Sequence, residues 1–118
     1  MARSAITIAD LTANGYNSEV EITKDAIDAT NDHSISVAGI DDGKLTIYIE
    51  TATTASTQFD IKAGDYSDAS IGDLSFTTTT ATTNVVQVES ARFKDNDELI
   101  LIDVTGSATG NIYAVLSN

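Results

Sequence analysis

The stretch KLTIYIE, Lys44 to Glu50, alternates without a break: Leu45, Ile47 and Ile49 fall on one side, Lys44, Thr46, Tyr48 and Glu50 on the other. A two-residue period is the signature of a half-buried β-strand. It recurs in AITIAD (Ile6, Ile8), EVEIT (Val20, Ile22), SISV (Ile35, Val37) and TQFDIK (Phe59, Ile61). Further strands are expected in LSFTTTT, NVVQVE, ARF, ELILIDV and NIYAVL, which makes eight to ten short strands in all. No stretch sustains a helical period, and the best helical candidate is TKDAIDAT, one or two turns at most. Composition agrees: 17 Thr and 13 Ile stand against six Leu and five Glu, a bias toward pleated, half-buried surfaces.

Turn residues separate these runs at the spacing of sandwiches and barrels. IDDGK carries a hairpin Asp-Gly, KAGDYSDASIGD holds Gly64 and Gly72, and TGSATGN holds Gly106 and Gly110. Without helical crossovers the ladders are expected to be mostly antiparallel. The chain thus reads as an all-β antiparallel sandwich, jelly-roll-like, in one domain over residues 6–118 with an N-terminal arm over 1–5. Two strands are apolar on both faces: Leu99 and Leu101 oppose Ile100, Ile102 and Val104, and Tyr113 and Val115 oppose Ile112, Ala114 and Leu116. Each needs a second cover, either a loop or a neighbouring subunit.

The net charge of −12 sets the chain against phosphate backbones and anionic lipid, so neither nucleic acid nor a membrane is an expected partner. Apolar runs are too short to span a bilayer, and the start MARSAITIAD lacks the apolar stretch of a secretory signal. An initial Met favours a protein that stays in the cytoplasm where it is made. With no Cys, neither a disulfide nor a thiolate metal site can form.

Chemistry-bearing groups are few. Between Glu89 and Asp103, KDNDEL packs Asp95, Asp97 and Glu98 together, but Leu99 and Ile100 stand where an EF-hand loop needs oxygen ligands. The acids are read as a hairpin turn. His33 is the one histidine; in NDHSI it follows an Asn-Asp turn, which places it at a surface strand end and not in a Ser-His-Asp relay. Paired carboxylates carry little signal among 18 acids, and the Thr runs at 51–57 and 77–83 share no repeat that would make an ice-binding face. No catalytic, cofactor or metal residue is assigned, and no enzyme is expected. A calcium-dependent or sugar-binding adhesion module is the alternative. Four tyrosines and no Trp give it little of the aromatic platform on which sugars stack.

Several phrases, spread over nearly the whole chain, resemble the small head decoration, or cement, proteins of tailed bacteriophages. They are TIADLTANG (7–15), DATNDHSI (28–35), KAGDY (62–66) with IGDL (71–74), and ESARF (89–93) with TGNIYAVL (109–116). The closing turn KDNDEL and the end SN depart from that family's usual Asp-Gly turn and terminal Pro. The resemblance implies a structural virion protein on the outer capsid surface, often a homotrimer, bridging major capsid subunits. On that reading Arg3 in the arm and Arg92 are interface candidates, since guanidinium groups serve well there. Tyr113 and Val115 are the candidates for the trimer seam.

Overall fold

The computed structural model describes residues 3–10, 24–38, 45–52, 56–65, 70–78 and 81–116. Among them are ten strands: β1 (Ser4–Ala5), β2 (Ile8–Asp10), β3 (Asp25–Ala26), β4 (His33–Ser36), β5 (Leu45–Thr51), β6 (Thr57–Ile61), β7 (Leu74–Thr78), β8 (Thr83–Val88), β9 (Leu99–Gly106) and β10 (Gly110–Leu116). The single helical turn, α1, is Ser90–Phe93.

Eight of the strands form two antiparallel sheets, β4-β9-β6-β7 and β3-β10-β5-β8. That strand order is a jelly roll, in which only β6 and β7 are neighbours both in sequence and in a sheet. The period-two pattern decides which residues meet between the sheets. Leu45, Ile47 and Ile49 of β5 face Phe59 and Ile61 of β6 and Ile100, Ile102 and Val104 of β9, all at most 4% exposed. Each fully buried Ile or Phe here contributes about 1.5–3 kcal/mol of hydrophobic stabilisation. At one end of the sandwich the inner face is finished by buried threonines, Thr51, Thr57 and Thr78.

The structure differs from the sequence expectation in four places. The sheets are mixed, because β1 joins β4 and β2 joins β10 in parallel. AITIAD is therefore two strands: the chain pairs with one sheet at Ser4–Ala5, buries Ile6 (5% exposed), and crosses to the other sheet at Ile8. Partners so distant in sequence need no local crossover helix. The helical candidate TKDAIDAT instead supplies β3 and a turn, because Asp28 draws the backbone N–H groups of Thr30 and Asn31 out of helical pairing. Conversely ARF, expected as a strand, is the helical turn α1. The EVEIT strand and the Asp-Gly hairpin at 42–43 lie outside the described residues.

Candidate functional site

The acids between Glu89 and Asp103 form a turn. Asp95 accepts from the N–H of Asp97 (2.9 Å) and of Leu99 (3.0 Å) through Oδ1, and its carbonyl accepts from Glu98 N–H (3.0 Å). Glu98 sits at φ 60°, the left-handed bend that reverses the chain. Across from it, KAGDY is laced to the same turn: Gly64 N–H donates to Arg92 O, and Asp65 Oδ2 accepts from Asn96 N–H. A Cβ at Gly64 would overlap the Lys94 carbonyl, so glycine is needed for this approach. Among the described residues, no three His, Cys, Asp or Glu side chains converge as a cation site.

The densest polar cluster is DATNDHSI. Asp28 Oδ1 accepts from Thr30 and Asn31 N–H (3.0 and 2.9 Å), and Oδ2 accepts from the Ser4 hydroxyl and from Asn31 Nδ2 (3.0 Å). These bonds, Ser4 first among them, hold the Asp28 carboxyl well below the usual carboxylate range. Asp32 sits at φ 63°, and its carboxylate accepts from Val104 N–H (2.8 Å), continuing the ladder where β4 has not yet begun.

His33 is not at the surface. It is fully buried, because the alternation that turns Ile35 and Val37 inward turns His33 inward too. Nε2 accepts from the Asp28 N–H (2.9 Å), which leaves the proton on Nδ1 to donate to Ser4 O (3.2 Å). Burial pushes the imidazole below its ordinary value, outweighing the Ser4 carbonyl and the charges of Asp28, Asp25 and Asp32. Although Ser4, Asp28 and His33 are neighbours, they are wired the wrong way for a relay. The hydroxyl donates to the carboxylate, and both ring nitrogens are taken by backbone groups.

A wide-open groove of about 800 Å³ runs over Ser4, residues 25–30 and 106–108. It brings two carboxylates to its wall, Asp25 and Asp28, but not the imidazole. Asp25 is engaged as well, accepting from Thr7 N–H at 3.0 Å.

All four interface candidates make contacts inside the chain. Arg3 pairs with Asp103 (2.7 Å) and donates to the carbonyls of His33 and Ile102. Of the arm expected over residues 1–5, Arg3 to Ala5 lie along the sheet, and Met1 and Ala2 are outside the described residues. Arg92 pairs with neither Glu89 nor Asp95; it donates to the Gly72 and Asp73 carbonyls and covers the Phe93 ring (4.7 Å). Tyr113 and Val115, the candidates for the trimer seam, are 8% and 6% exposed in the single chain. Tyr113 stacks on Tyr48 (5.1 Å), lies under Lys24 Nζ (5.1 Å) and donates to Glu50 (3.1 Å). The exposed large apolar side chains among the described residues are two that sequence reasoning passed over, Ile71 and Val85.

Compared with known protein families, with curated proteins and with solved structures, the chain finds no match in any of the three.

Proposed function

We propose that this chain is a structural virion protein, a cement subunit that seats on the outer surface of a phage capsid and reinforces contacts between major capsid subunits, self-assembling as trimers. The observation that carries this reading is the wiring of the 28–35 phrase. Its carboxylates and its imidazole bond the chain's own groups, and Asp28 and His33 hold the N-terminal strand at Ser4 onto the jelly roll. Residues that could do chemistry are used as fasteners. A shell under internal pressure gains from added subunits that bury surface across its seams, and a stiff frame suits that role better than a flexible one. Two of the phrases that resemble head decoration proteins help to build this frame: 28–35 makes the polar cluster around the buried His33, and KAGDY, at Gly64 and Asp65, is laced to ESARF and the turn after it; residues 11–15 of TIADLTANG lie outside the described residues.

The test is attachment. Expanded capsids lacking their decoration protein are mixed with the purified chain and pelleted, and retention that saturates at a fixed ratio to major capsid subunits is expected. Failure to co-sediment at any ratio, together with retention on a glycan array or a large melting shift on chelation, would replace this reading with an adhesion module.

A further inference from the structure

The fifteen residues from Leu74 to Val88 carry no charged side chain, in a chain whose net charge is −12. They build β7 and β8, the outer strands of the two sheets on one side of the sandwich. Among the described residues β7 pairs only with β6 and β8 only with β5, in registers unbroken by a bulge. Edge strands that stay apart from other chains are usually guarded by charge, proline or a bulge. This side has none of the three.

Side chains reinforce the point. Val85, 60% exposed, stands on the outer face of β8 next to Tyr48. Gln87 follows two residues on, along the same face. It shares a hollow of about 310 Å³ with Ile71, 67% exposed, and with Phe93 and the charged residues Glu89 and Arg92 at the rim. Ile71, Gln87 and Val85 thus form one strip beside an open strand edge. The charges that flank the stretch, Asp73 and Glu89, stand at its ends, and Asp73 is tied to Lys62 (2.7 Å).

We infer that this side is where a second copy of the chain docks, extending the sheet at β8 and covering Ile71 and Val85. The charge distribution selects the occupant. Two chains at −12 repel wherever carboxylate meets carboxylate, and strands β7 and β8 let them touch with carboxylates, Asp73 and Glu89, only at the rim. The inference gives a surface to the self-assembly in the proposed function and rests on that reading only so far, because solution mass and capsid attachment are read separately.

Sedimentation velocity of the purified chain from 1 to 100 µM is the experiment. A mass above the monomer is expected, with association that strengthens as salt screens the net repulsion. Val85→Asp places like charges face to face and is expected to weaken association at least about a hundredfold. Ile71→Asp, outside the strands, should act in the same direction with an unchanged melting temperature. A wild type that stays monomeric at 100 µM, or variants that associate as tightly as wild type, would overturn the proposal. Association that weakens with salt would do the same, since it would point to a seam of paired charges.

Discussion

On one side of the sandwich, β1 and β2 lie along the outer strands of both sheets, held by Arg3, Asp28, Asp32 and His33. On the other side, β7 and β8 are, among the described residues, the last strands of their sheets, and neither carries a charged side chain. The same 118 residues thus finish their two flanks in opposite ways. The first flank ties the side chains of Arg3, Asp28, Asp32 and His33 into internal bonds, which makes a fixed boundary. The second presents strand edges and the apolar side chains Ile71 and Val85. Charge tells them apart better than hydrophobicity does: the sealed flank is rich in acids, and on the open flank acids stand only at the rim, at Asp73 and Glu89.

The comparison can be broken from either flank. The largest effect is expected at His33. His33→Ala empties a buried site and strands the Asp28 N–H and the Ser4 carbonyl, so denaturant unfolding should show a loss of about 2–4 kcal/mol. Val85→Thr on the open flank should change monomer stability by less than about 0.5 kcal/mol. Equal losses at the two positions would erase the distinction.

Acid sharpens it next. His33 is held below its ordinary value near 6.5, so as pH falls below that value the unfolded chain binds a proton that the folded chain refuses. Stability should be full above about pH 6.5 and decline below it. A second decline should begin under about pH 4, where Asp28, also depressed, is protonated first in the unfolded state. Unfolding midpoints between pH 7.5 and 3.5 read both steps, and His33→Ala should lose only the first. A midpoint that is flat from pH 7 to 5 in the wild type would contradict the buried imidazole.

The smallest effect concerns Arg3. Its ion pair with Asp103 is about one-third exposed, and Arg3→Ala should cost no more than about 1 kcal/mol, less in high salt. Hydrogen exchange should nevertheless quicken at Ile6, whose N–H donates to Ser34 O, while the β6–β7 and β5–β8 ladders stay unchanged. Uniform acceleration over the whole chain would mean that Arg3 acts on global stability and not on its own flank.

Much of this architecture is written in the sequence. The alternation in KLTIYIE and TQFDIK places Leu45, Ile47, Ile49, Phe59 and Ile61 in the core, and strand count with turn spacing leads to the jelly roll. KDNDEL is legible as a turn because Asp95 has the side chain to cap it. At His33 two local signals conflict: the Asn-Asp turn before it points to the surface, and the inward parity it shares with Ile35 and Val37 prevails. The parallel strands β1 and β2 were not legible, since their partners lie far away in sequence and a local pattern cannot report them. The same limit hid the internal cover of Tyr113, in which Lys24 and Glu50 converge from other strands. Val85 left a trace in the charge-free run of β7 and β8, and Ile71 stands just before it, beyond Asp73. That trace appears only when charge, and not apolar period, is followed along the chain.

The pairing of Ile8–Asp10 with Ala114–Leu116 has a consequence for biosynthesis. Ile8 and its partner Ala114 stand 106 residues apart (114 less 8), so this ladder cannot close until everything between them has been made. Contacts of such sequence separation are slow to form. Until then the apolar faces of the intervening strands lack this cover, at the stage when a strongly negative chain benefits most from repelling its neighbours.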